Sequence, residues 1–103
     1  MPIVISTKVR AKLAAKQPPV TQEEIEQCFV TIEGSYLEDE REEHASDPAT
    51  LWFVAETYYG RKLKVVFIPR GEVVFIPRGE ELVIRTAYQP NPEEMRIYLK
   101  HGM

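Results

Sequence analysis

Residues Val65-Val66-Phe67-Ile68-Pro69-Arg70-Gly71-Glu72 are followed at once by an identical octapeptide, Val73-Val74-Phe75-Ile76-Pro77-Arg78-Gly79-Glu80. Each copy is a β-branched and aromatic run closed by Pro-Arg-Gly-Glu, the chemistry of one strand and one turn. Two adjacent copies without a single substitution mark a recent duplication or an engineered insertion, since drift separates old structural repeats. With one copy removed, Leu63–Ile68 joins Leu82–Ala87 through Pro-Arg-Gly-Glu-Glu, which is a β-hairpin. The repeat length is even, so both copies present the same residues to the same face and either suits one place in a sheet. Three outcomes follow: an added meander strand, a looped-out copy, or pairing with a second molecule in a swapped or edge-to-edge dimer. Burial of Val-Val-Phe-Ile favours an added strand or a long hairpin extension in a homodimer, because solvating that run forfeits several kcal/mol. The flanking Pro69, Arg70, Pro77 and Arg78 limit unbounded pairing.

A chain of 103 residues builds one hydrophobic core, so 1–103 reads as a single domain. No apolar run approaches the roughly 20 residues a membrane helix needs, and Met1-Pro2-Ile3-Val4-Ile5-Ser6 lacks the basic start of a leader, so no membrane partner and a cytoplasmic location are expected. Cys28 is the single cysteine, which excludes an intramolecular disulfide and fits a reducing compartment. The net charge of −3 is segregated: residues 1–16 carry Lys8, Arg10, Lys12 and Lys16 with no acid, whereas 23–47 hold ten acids against Arg41 alone. A polyanion is repelled by that middle region, so any RNA contact must be local.

Ser6 or Thr7 caps a first helix running to about Lys16, with Val9 and Leu13 on its apolar side. Gln17-Pro18-Pro19 stops it. Thr21-Gln22-Glu23-Glu24 is a capping box that opens a second helix with Ile25, Phe29 and Ile32 as its buried stripe, closed by Gly34, so the pair reads as a helical hairpin. Residues 36–48 form an acidic excursion with a short strand or helical turn at its start, and Asp47-Pro48 is a turn signal. Thr50–Tyr59 and 62–68 are antiparallel strands joined at Gly60-Arg61. Asn91 caps a last helix with Pro92 at its first position and Glu93 and Glu94 in its first turn, burying Met95, Tyr98 and Leu99. The expected fold is α+β: two N-terminal helices, a small antiparallel sheet of three to four strands and a C-terminal helix.

His44 and His101 are far apart and no carboxylate and histidine fall at metal-ligand spacing, so neither a metal nor a cofactor is expected. Cys28 reads as a small half-buried side chain. The run Glu38-Asp39-Glu40-Arg41-Glu42-Glu43-His44 reads as a solvated loop or helix face, with recognition of a basic partner as an alternative. Arg61, Arg85, Tyr88, Arg96 and Tyr98 are the more reactive set. Arg85 interrupts an apolar strand and must reach solvent or an anion.

Trp52-Phe53-Val54-Ala55-Glu56-Thr57, Gly60-Arg61-Lys62-Leu63-Lys64-Val65-Val66, Val83-Ile84-Arg85-Thr86-Ala87-Tyr88 and Glu94-Met95-Arg96-Ile97-Tyr98 together resemble the BrnT-type toxins of bacterial toxin–antitoxin systems, within the wider RelE/ParE-like group. Where the family pattern ends its strand in Arg, this chain has Tyr88. The resemblance implies metal-independent cleavage of RNA: a ribose hydroxyl attacks the phosphate, a general base and acid move protons, and a cation stabilises the phosphorane. It implies phosphate stabilisation by Arg61 and Arg85, and acid or base work by Tyr88, Glu56 or His44, with RNA as substrate and an antitoxin as partner. The alternative is a non-catalytic protein-interaction module of the same fold.

Overall fold

Strand-forming residues at 51–56, 62–71 and 80–88 build the centre of the molecule. The computed structural model describes residues 3–39, 49–71 and 80–103. Its elements run β1 (Ile3–Val4), α1 (Thr7–Ala14), α2 (Gln22–Thr31), β2 (Leu37–Glu38), β3 (Leu51–Glu56), β4 (Lys62–Gly71), β5 (Glu80–Tyr88) and α3 (Pro92–His101). The strands form one sheet in the order β1-β5-β4-β3-β2. β1 lies parallel to β5, and every other pairing is antiparallel.

The α+β class is as expected, and the sheet is a correction. Among the described residues it has five strands and is mixed, because Ile3-Val4 pairs with Leu82-Val83 and Leu37-Glu38 with Trp52-Leu51. Two-residue strands carry no periodicity of their own; their partners make them strands. The first octapeptide copy runs along β4 as far as Gly71, whose partner is Glu80. The remainder of the copied segment lies outside the described residues, so its expected extra strand or swap is not described.

Alternation along β3 and β4 divides the core between two faces. Phe53, Leu63, Val65 and Phe67 are buried on the α2 side, where the Phe29 ring lies 4.8 Å from Phe53 and 5.1 Å from Phe67. Trp52, Lys64 and Val66 point to the other face, which α3 covers: the Trp52 and Tyr98 rings are 5.7 Å apart and Lys64 pairs with Glu94. The two consecutive N-terminal helices are linked by Arg10 donating to the Gln22 side chain at 3.0 Å, with α1 packing mainly on β5 and α2 on β3 and β4.

Helix starts follow their caps. The Ser6 hydroxyl accepts from the Val9 N–H, and Thr21 with Glu24 and Asn91 with Glu94 complete capping boxes. Gly60, at φ +86°, takes the left-handed conformation that lets the β3–β4 connection turn tightly. Gly34 serves a close approach: a Cβ there would stand 2.4 Å from the Gly102 carbonyl oxygen, where the Ser35 N–H donates to Gly102 at 2.6 Å. Leu99 departs from expectation, since it is 60% exposed while Tyr98 is buried.

Candidate functional site

Arg61 stands between the Gly60 turn and the first residue of β4, and its own N–H donates to the Thr57 hydroxyl at 3.1 Å. That turn aims the guanidinium toward the α1–α2 connection. There it donates to the carbonyls of Pro19 at 2.7 Å and Pro18 at 2.8 Å, and pairs with Glu24 at 3.2 Å. The planar fork of the guanidinium suits two carbonyl acceptors and a carboxylate at once. Arg61 therefore fastens the β3–β4 turn to the start of α2.

On the opposite face, Tyr88 and Lys64 are cross-strand partners, and both reach Glu94 in the first turn of α3. The Tyr88 hydroxyl donates to Glu94 Oε2 at 2.6 Å, and Lys64 Nζ donates to the same oxygen at 2.7 Å. The other carboxylate oxygen accepts from the Asn91 N–H at 3.0 Å. Burial opposes the Glu94 charge, but hydrogen bonds from Lys64, Tyr88 and Asn91, with the Lys64 charge, outweigh it and hold the carboxyl below its ordinary range. Lys64 Nζ also lies 4.5 Å from the Trp52 ring centroid and 5.7 Å from that of Tyr88, and Lys16 Nζ is 5.5 Å from Tyr88. Two ammonium groups, a phenol and an ionised carboxylate thus meet at one end of the sheet.

The expected site residues do not converge. Arg61 is engaged on the α2 side and Tyr88 on the α3 side. Arg85 sits at the β-bulge between the Val66–Thr86 and Phe67–Ile84 pairs and is exposed, so it takes the solvent exit rather than a buried partner. Glu56 is exposed at the end of β3, opposite Lys62, and its carbonyl accepts from the Thr31 hydroxyl at 2.6 Å. His44 lies outside the described residues. Arg96 pairs with Glu93 on the outer side of α3. Cys28 is fully buried rather than half-buried, and burial pushes its thiol up to about 12, which makes it inert as a nucleophile.

Lys64 and Glu94 were not singled out by sequence reasoning. The signal available was a lysine inside an otherwise apolar strand and the third residue of a capping box. Only the position of α3 joins them.

Beside α3 a groove of about 540 Å³ opens between that helix, the end of β3 and the end of α2. Thr31, Val54, Tyr58, Met95, Leu99 and Met103 line it, with Glu33, Glu56 and Lys62 among its charged residues. Leu99, Met103 and Tyr58 are each about 60% exposed there. The Tyr98 hydroxyl donates to the Ser35 carbonyl at 2.9 Å. Burial raises its pKa against the Val54 N–H bond that lowers it, so the phenol stays a neutral donor at the groove's back wall.

Among the described residues, no group of three His, Cys, Asp or Glu could hold a metal ion, and no helix is long and apolar enough to cross a membrane. No protein-family model, curated protein or solved structure matches this chain.

Proposed function

We propose that this chain is a non-catalytic protein-interaction module, and that the groove between α3 and the end of β3 is its docking face. One contrast carries the reading: Arg61 and Tyr88, two of the groups expected to handle RNA, are engaged by partners on opposite faces of the sheet and do not converge with exposed Arg85 and Glu56, while exposed Leu99, Met103 and Tyr58 surround an open apolar groove. A guanidinium held by two carbonyls and a carboxylate has few donors left for a phosphorane. A carboxyl held below its ordinary range is a weak general base near neutral pH. Exposed Tyr and Met with a charged rim are the composition of a contact surface.

An RNA-cleaving toxin of BrnT or RelE-like type is the second reading. The β3-β4-β5-α3 order with its Gly60-Arg61 turn supports it, as does the meeting of Lys16, Lys64 and Glu94 around Tyr88. In that reading Tyr88 and Glu94 exchange the proton, the lysines meet the phosphate, and a small antitoxin is the natural occupant of the groove. A cytoplasmic location accompanies either reading, supported by the single buried thiol.

Induced expression separates the two. The interaction reading expects normal growth and intact cellular RNA from the wild-type chain. Growth arrest with RNA cleavage, relieved by Tyr88→Phe or Arg85→Ala in a variant that still folds, would overturn it.

A further inference from the structure

We infer that the lysine flank of α1 is a second interaction surface, separate from the α3 groove, and that its partner is a short acidic helix of another protein.

Helical spacing sets the flank. Lys8 and Lys12 stand four apart on one side of α1 and are exposed. The Lys16 N–H donates to the Leu13 carbonyl at 3.3 Å, so the chain keeps turning past Ala15 and carries Lys16 along the same side. Arg10, two positions from either exposed lysine, falls on the other side, where it donates to the Gln22 side chain of α2 at 3.0 Å. The lysine flank therefore faces away from α2. Its far end is fixed by Lys16 Nζ, 5.5 Å from the Tyr88 ring centroid on β5, the strand on which α1 packs. Three residues before Tyr88 on that strand, the β-bulge turns Arg85 out to solvent.

Charge on this surface is of one sign. Residues 1–16 contain no acid, and among the described residues Lys8, Lys12, Lys16 and Arg85 have no carboxylate partner. Glu94, beyond the Tyr88 ring, is already bonded by Lys64, Tyr88 and Asn91. A row of cations without internal partners finds its electrostatic complement only outside the molecule. The helical rise sets successive lysines about 6 Å apart, the spacing of carboxylates at i and i+4 on a second helix, so two helices side by side match charge to charge over about 12 Å. Length decides between kinds of polyanion. A nucleic acid strand running on across the molecule meets the ten acids of 23–47, whereas an acidic helix no longer than α1 does not.

Fluorescence anisotropy of a labelled helical peptide with Glu at every fourth position, titrated with the full chain at about 50 mM salt, tests the assignment. The wild type is expected to bind this peptide at least about tenfold more tightly than a version with Gln in place of Glu, and to lose that preference at about 0.5 M salt. Lys12→Glu and Lys100→Glu form a matched pair, since each reverses an exposed lysine in the last turn of its helix. Lys12→Glu should weaken binding about tenfold and Lys100→Glu less than about twofold. Lys8→Glu should act like Lys12→Glu with an unchanged far-UV spectrum, because an acid in the first turn suits the helix dipole. Equal losses in Lys12→Glu and Lys100→Glu would reduce the effect to net charge and overturn the inference, as would a wild type that does not bind. So would a single-stranded oligonucleotide of equal charge that binds more tightly at the same lysines, which would assign the flank to nucleic acid. Neither Lys8 nor Lys12 lines the α3 groove, so Leu99→Asp should leave peptide binding unchanged and the two surfaces fail independently.

Discussion

Arg61 and Glu94 illustrate how a charged residue in a small fold acquires a structural task. The Arg61 guanidinium spans two consecutive proline carbonyls and Glu24, and an ammonium with three donors on a flexible stem cannot reproduce that planar spread. Arg61→Lys is expected to cost about 1–2 kcal/mol and Arg61→Ala about 2–4 kcal/mol in urea unfolding, since both leave acceptors unpaired. An unchanged midpoint in both variants would show that the guanidinium is free for other work. Glu94 gives a pH signature. Its folded-state pKa is below the ordinary 4.5, so between those values the unfolded chain binds the extra proton and stability rises with pH. The contribution is complete above the unfolded pKa and disappears as pH falls through the folded one. Melting temperature measured against pH should therefore fall less steeply below about 4.5 in Glu94→Gln than in the wild type. Parallel curves would sink the assignment.

The β4–β5 hairpin shows what a duplicated strand does to an element and where the register is decided. Arg70 pairs with Glu81 and Gly71 with Glu80, so deleting residues 72–79 leaves Gly71-Glu80 as a two-residue connection with glycine at its first position, as a type II′ turn requires. Shortening the chain between Gly71 and Glu80 should raise stability by about 1 kcal/mol and Tm by about 5 °C in a calorimetric comparison. A destabilised deletion would mean that the second copy contributes contacts of its own. The copies are equal in themselves; the residues before them are not. With the second copy in the β4 position, Gly71 and Glu72 would replace fully buried Leu63 and Lys64, removing core packing and setting a carboxylate against Glu94. Sequence made the helix caps at Ser6, Thr21 and Asn91 legible because each cap and the N–H groups it bonds lie within one turn. β1 and β2 were not, since a two-residue strand is defined by its distant partner. The same holds for α3, whose amphipathic pattern marks Met95, Tyr98 and Leu99 alike as apolar. The Lys64–Glu94 pair and the Tyr98–Ser35 bond fix its rotation about Tyr98 and Glu94, which rolls Leu99 outward. For the candidate site, the sequence drew attention to Tyr88 and Arg61, but its local patterns gave no means of knowing that a sheet separates them.

At the scale of the whole molecule the two faces of the sheet are held by different physics. On the α2 side Ile25, Cys28 and Phe29 are buried, and Phe29, Tyr36, Phe53 and Phe67 form an aromatic cluster with centroids 4.8–6.3 Å apart. α3 places only Tyr98 in the core. Polar links secure the rest of it: Lys64 and Tyr88 to Glu94, Tyr98 to the Ser35 carbonyl and the Ser35 N–H to Gly102. Apolar burial at roughly 25 cal/mol per Å² favours the first layer strongly, whereas a partly exposed hydrogen bond contributes a net of about 1 kcal/mol. The α3 layer should therefore open without the rest. In native-state hydrogen exchange the α3 amides are expected to exchange through a partial opening about 2–3 kcal/mol below the free energy that protects β4 and α2. Acid should act on that opening first, because Glu94 belongs to it, and Glu94→Gln should lower α3 protection near neutral pH while leaving β4 unchanged. Equal protection in α2 and α3 would show a single cooperative unit.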